Sequence, residues 1–159
     1  MESDKELSDS WRLTRVPGER RGIANAEGKY SLSVFGPNGF LREFKGAANS
    51  QAEALAVTDS YDAGGARLRI SLHNPGSSPC TVTVRDNAYG SQERTYHLAA
   101  HTRREDWWDL SASNGWYDLS VSHDFDSHYA RRLAGHLENG LPSISDPAIT
   151  QGFRDAVFS

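Results

Sequence analysis

Four ligand-type side chains fall within six residues at 123–128: His123, Asp124, Asp126 and His128. Imidazole nitrogens and carboxylate oxygens this close could hold a divalent cation from one loop, the core of a small metal-dependent hydrolase. The stretch lacks the glycine and the distant bidentate acid of a calcium loop. It also lies between two strand-like runs, where polar residues are ordinary. A solvated turn is the plainer reading, and no metal or other cofactor is expected.

The remaining histidines offer less. His97 and His101 are four apart, a spacing that aligns side chains on a helix but not on strands, and they flank the turn AAHT at 99–102. No Gly-x-Ser-x-Gly elbow occurs. The glycine-rich FGPNG at 35–39 contains proline and no Lys-Ser/Thr follows it, so it is not a phosphate cradle.

The aromatic and basic residues point to binding instead. Trp107 and Trp108 are adjacent, so on a strand one faces the core and the other the opposite surface. Trp116 and Tyr117 repeat the arrangement. Such pairs suit sugar faces or a lipid headgroup layer, where an amphipathic ring has one wet end. The competing reading covers them with loops or with a neighbouring repeat. Arg131 and Arg132, with Arg42 and Lys45 earlier in the chain, could meet phosphate through guanidinium forks. The alternative pairs them with cross-strand acids such as Glu105, Asp106 or Asp109.

These residues must be positioned by strands. Short runs rich in Val, Ile, Leu, Thr and aromatics alternate with period two, over 52–61, 66–74, 80–86, 94–100, 103–110, 115–122 and 129–136. In LRISL at 68–72 the apolar positions are 68, 70 and 72, which buries one face and wets the other. Asp62-Ala-Gly-Gly65, the Pro-bearing loop at 74–79 and Asn114-Gly115 supply turns. The pattern predicts an all-β fold, an antiparallel immunoglobulin-like sandwich of about seven strands.

The start of the chain repeats its end. YSLSV at 30–34 returns as YDLSV at 117–121, and FLREFKG at 40–46 returns as YARRLAG at 129–135, at offsets of 87 and 89. The match extends upstream, with WRL at 11–13 answering YHL at 96–98 and ERR at 19–21 answering RRE at 103–105. Such a period is too long for a solenoid. We therefore expect residues 1–48 to be the C-terminal part of a first unit, 49–142 a complete unit and 143–159 a tail, with the whole a fragment.

Composition narrows the classes. Seventeen basic against 21 acidic residues, intermixed, give a net charge of −4 and no electrostatic grip on nucleic acid. The single cysteine, Cys80, sits in a strand-like run and reads as a small buried residue, so packing must hold the fold. The first ten residues lack the apolar stretch of a signal peptide. No window approaches the roughly 18 apolar residues of a membrane span.

The stretch YSLSVFGPNGFLREFKG at 30–46 resembles the end of the first of two tandem C-terminal repeats in secreted bacterial phospholipase C. DNAY at 86–89, LAAH at 98–101, WDL at 108–110, WYDL at 116–119, RRLAGHLENG at 131–140 and PSISDPA at 142–148 resemble the second repeat and its tail. The resemblance covers roughly residues 10–148. It implies a parent enzyme that hydrolyses phosphatidylcholine, in some members also sphingomyelin, through a preceding alkaline-phosphatase-like, metal-dependent domain. No catalytic residue is carried onto this chain. The implied role is a non-catalytic accessory domain, with the catalytic domain and a choline-phospholipid surface as partners and an extracellular or periplasmic location. Trp107, Trp108, Trp116, Tyr117, Arg131 and Arg132 are the candidate contacts. An independent immunoglobulin-like module binding carbohydrate or protein is the alternative.

Overall fold

The computed structural model describes residues 21–24, 28–48, 50, 55–62, 64–140, 142 and 144–148. The matches at 11–13 and 19–20, the expected strand start at 52–54 and the tail beyond 148 lie outside them. Among the described residues ten strands follow in order: β1 (Arg21–Ala24), β2 (Lys29–Phe35), β3 (Leu41–Ala47), β4 (Ala56–Asp62), β5 (Arg67–Asn74), β6 (Cys80–Asp86), β7 (Arg94–Leu98), β8 (Thr102–Asp109), β9 (Trp116–His123) and β10 (Asp126–His136).

Every pairing is antiparallel. One sheet has seven strands in the order β1-β2-β3-β10-β9-β6-β7, and the other has three, β4-β5-β8. The period-two pattern sets which side chains go inside. In β5, Leu68, Ile70 and Leu72 are buried, and from the opposite sheet Val82, Val84, Leu119, Val121 and Leu133 meet them, with Trp108 beside them. Each such side chain contributes about 1.5–3 kcal/mol by leaving water. Cys80 joins this core as a small buried residue.

Strands β1–β3 extend the larger sheet through the β3–β10 pairing. The register there runs Ala130↔Lys45, Arg131↔Phe44, Arg132↔Glu43, Leu133↔Arg42 and Ala134↔Leu41. Under the offset of 89, Leu41 matches Ala130, Arg42 matches Arg131, Glu43 matches Arg132, Phe44 matches Leu133 and Lys45 matches Ala134. Exchanging the two strands therefore reproduces the register, so a local two-fold passes through the Glu43–Arg132 pair. The hairpins β2–β3 and β9–β10 agree as well. Tyr30↔Gly46, Leu32↔Phe44 and Val34↔Arg42 answer Tyr117↔Gly135, Leu119↔Leu133 and Val121↔Arg131.

Candidate functional site

The wet face of β4-β5-β8 carries the exposed tryptophan. Trp107 is 39% exposed, and its neighbour Trp108 is 1% exposed. Trp107 pairs across the strands with Arg69. The guanidinium carbons of Arg67 and Arg69 stand 4.8 and 5.7 Å from its ring centroid, within the range of cation–π attraction. Arg67 bonds Asp62, and Arg69 donates to Ser60 Oγ and lies 3.5 Å from Glu105. These pairs are solvent-exposed, so they contribute roughly 0–1 kcal/mol and leave the guanidiniums free to exchange partners.

Trp108 does not share this face. It lies in the core with the Arg94 guanidinium 4.2 Å from its ring centroid, and Arg94 is fixed by Asp106 and by the carbonyl of Trp107. Tyr96 also donates to Asp106 at 2.7 Å. Burial would raise the Asp106 pKa, but the bonds from Tyr96 and Arg94 outweigh it and hold the carboxyl below the usual range. Burial first, then the bond to Asp106, push the Tyr96 hydroxyl up to about 12.

Tyr117 is likewise withdrawn from any surface role. It is buried over Gly135, where an added Cβ would stand 2.9 Å from its hydroxyl oxygen. That hydroxyl lies 2.6 Å from Tyr61 Oη and accepts a bond from Arg42. Burial, followed by the Tyr61 bond, keeps it protonated well above the ordinary tyrosine range. Trp116 is half-buried and held on three sides. Its Nε1 donates to the Ile144 carbonyl at 2.8 Å, its ring lies 4.7 Å from His136, and the FGPNG turn packs on it through Gly39. The β2–β3 hairpin thus covers part of its ring.

The arginines follow the local two-fold. Arg42 donates to the carbonyls of Leu41 and Ala134 and to Tyr117 Oη. Arg131 donates to the matching carbonyls of Ala130 and Lys45 and to Tyr30 Oη, the match of Tyr117. Arg42 lies 4.4 Å from the Phe40 ring and Arg131 lies 4.2 Å from the matching Tyr129 ring. Arg42 further bonds Asp59 at 2.7 Å. Arg132 forks onto Asp118 at 2.8 and 2.6 Å and approaches Glu43 at 3.6 Å. Its acids therefore come from β9 and β3. Glu105, Asp106 and Asp109 sit on β8 in the other sheet, out of its row.

The His123–His128 cluster does not converge. His123 Nδ1 accepts the Phe125 amide hydrogen, while Asp126 accepts that of His128. The His123 side chain is nearly buried and that of His128 faces solvent. Among the described residues no three His, Cys, Asp or Glu side chains are placed to hold a metal ion. Burial holds the His123 imidazole below its ordinary pKa against the opposing pull of Asp124 and Asp126.

Arg67 and Arg69 escaped the sequence reading. Alternation places Arg69 opposite Leu68 and Ile70, yet only the β5–β8 register shows that this brings it beside Trp107.

The described residues thus form a two-layer antiparallel β-sandwich that carries Trp107 between Arg67 and Arg69 on its wet face. The model of the C-terminal domain of bacterial phospholipase C matches residues 1–47 and 55–136, and the chain belongs to that family. It is 40% identical over 156 residues to a non-hemolytic phospholipase C of Burkholderia pseudomallei, covering 94% of this chain and 20% of that protein. With a hemolytic phospholipase C of Pseudomonas aeruginosa it shares 41% identity over 132 residues, covering 80% of this chain and 18% of the relative. The chain thus spans about a fifth of the length of the curated relatives it matches.

Proposed function

We propose that this domain is the non-catalytic accessory part of a bacterial phospholipase C acting on phosphatidylcholine, with sphingomyelin as a second choline phospholipid, and that it orients the catalytic domain at the lipid surface. The supporting observation is Trp107, turned to solvent between Arg67 and Arg69 on an otherwise wet sheet face. An indole suits the headgroup layer, and guanidiniums suit lipid phosphates. The catalytic domain of the parent enzyme is the intramolecular partner, and the parent acts outside the cytoplasm, in the medium or the periplasm.

Co-sedimentation with phosphatidylcholine and sphingomyelin vesicles tests this. The wild-type chain sediments with the lipid, and Trp107→Ala loses binding with its near-UV circular dichroism otherwise retained. A wild-type chain that stays in the supernatant overturns the lipid-orienting role, and choline-phospholipid turnover by the purified chain overturns the non-catalytic one. Binding of a glycan or protein through Trp107 without lipid would establish the independent binding module instead.

A further inference from the structure

Three Asn-Gly dipeptides occur in the chain, at 38–39, 114–115 and 139–140. The first two flank the packed rings of Trp116 and His136, whose centroids are 4.7 Å apart. Gly39 packs on Trp116, and the Asn114 carbonyl accepts a bond from His136 Nε2 at 3.0 Å. At the third, on the exposed stretch after β10, a Cβ added to Gly140 would meet nothing within 4 Å, so reaction there disturbs no packing.

An asparagine before glycine can react with its own backbone. The glycine amide nitrogen attacks the asparagine Cγ: the N–Cγ bond forms, the Cγ–Nδ2 bond breaks, and the amide proton leaves with the side-chain nitrogen as ammonia. Water then opens the cyclic succinimide at either carbonyl. Opening at Cγ gives aspartate, and opening at the main-chain carbonyl gives isoaspartate, with the chain rerouted through Cγ. Glycine favours the attack because no Cβ hinders the approach and its backbone turns most freely. A glycine amide committed to a hydrogen bond must first be freed by local opening.

The two turns differ at that nitrogen. Gly115 is buried, and its amide donates to the Leu110 carbonyl at 2.9 Å. Asn38 and Gly39 are exposed, with φ of +55° and +69°, and the Gly39 amide donates to no acceptor among the described residues. The Asn38 carboxamide is held by an exposed bond from Nδ2 to Glu138 Oε1 at 2.8 Å, which exchanges readily with water.

We propose that Asn38 is a site of spontaneous deamidation, and that the reaction unlatches the FGPNG turn from Trp116. Aspartate at 38 sets a carboxylate against Glu138 where an amide had donated, so attraction becomes like-charge repulsion. Isoaspartate adds a backbone carbon to a turn whose next residue lies so close to Trp116 Cζ3 that an added Cβ would stand 2.8 Å away. Neither product keeps the turn on the ring.

Peptide mapping by mass spectrometry, during incubation of the 159-residue chain at mildly alkaline pH, tests the site. In the folded chain Asn38 should convert at least about fivefold faster than Asn114, and in urea the two rates should converge once the Leu110 bond is lost. Equal rates in the folded chain overturn the site, and rates that stay unequal in urea overturn its structural cause. Asn38→Asp tests the unlatching, and its tryptophan emission should differ from that of the wild type. Asn38→Asp/Glu138→Gln, in which carboxylate and amide exchange places, should recover the wild-type emission. Wild-type emission in Asn38→Asp overturns the unlatching, and a shift that persists in the double variant overturns the like-charge cause.

Discussion

Gly39 packs directly on Trp116. A Cβ added at Gly39 would stand 2.8 Å from Trp116 Cζ3, closer than side chains tolerate, and the backbone there has φ of +69°. The FGPNG turn thus needs glycine for both the left-handed backbone and the close approach. Gly39→Ala should cost about 2–4 kcal/mol by adding overpacking to the conformational penalty. Gly90→Ala, at φ +81° with nothing within 4 Å, should cost only about 1 kcal/mol. Urea titration separates them, and only Gly39→Ala should shift the tryptophan fluorescence. Equal losses would mean that the turn does not bear on Trp116.

The Arg42 and Asp59 side chains are 12% and 16% exposed, so removing one partner leaves the other poorly solvated. Arg42→Met should destabilise by about 2–4 kcal/mol, and Arg42→Met/Asp59→Asn should recover part of the loss. Glu105→Ala, which breaks a 3.5 Å pair between exposed partners, should stay within about 0.5 kcal/mol of wild type. Chemical denaturation at low salt checks all three. An Arg42→Met variant as stable as Glu105→Ala would show that Arg42 does not bind β3 to the sandwich.

Much of this architecture was legible from alternation. The seven runs read between 52 and 136 appear, among the described residues, as β4–β10 with bounds displaced by a few residues, because period-two burial dominates an antiparallel sandwich. Trp107 and Trp108 had to part to opposite faces, and they do. Their assignment to outside and inside depends on which sheet face meets the core, which adjacency alone does not decide. The repeat at 30–46 was visible, yet its docking along β10 was not, since edge pairing leaves no local mark in the sequence. For the same reason the sequence alone points Arg132 to the acids of β8, whereas the sheet order supplies Asp118 from β9 and Glu43 from β3. Among the candidate contacts, Trp108 and Tyr117 were drawn inside because a large ring at a core position gains more by burial than it does at the surface.

The two tryptophans should separate sharply in stability. Trp108→Ala opens a void in a core position that is 1% exposed and should cost about 3–5 kcal/mol. Trp107→Ala should cost less than about 1 kcal/mol, because its ring is already partly hydrated and only exposed cation–π contacts are lost. Thermal unfolding of the single variants gives the comparison. If Trp107→Ala proved as destabilising as Trp108→Ala, its loss of vesicle binding could not be assigned to a surface contact.

Acid should weaken the fold in two steps. The His123 imidazole is held below its ordinary value by burial, so between the folded value and the unfolded value of about 6.5 the unfolded chain binds more protons. Its contribution is complete above that unfolded value and falls away as pH drops towards the folded one. Asp106 and Asp118 are lowered in the folded state because their hydrogen bonds, from Tyr96 and Arg94 and from Arg132 and Asn87, outweigh the opposing effect of burial. Their contribution is complete above the unfolded carboxyl value of about 3.9 and is lost as pH falls below it through the folded values. Unfolding free energies measured from pH 7.5 to 3, an estimated span about these two reference values, should show both declines. His123→Asn, which can still accept the Phe125 amide hydrogen, should remove the upper decline and leave the lower one. Persistence of the upper decline in that variant would assign it to another histidine.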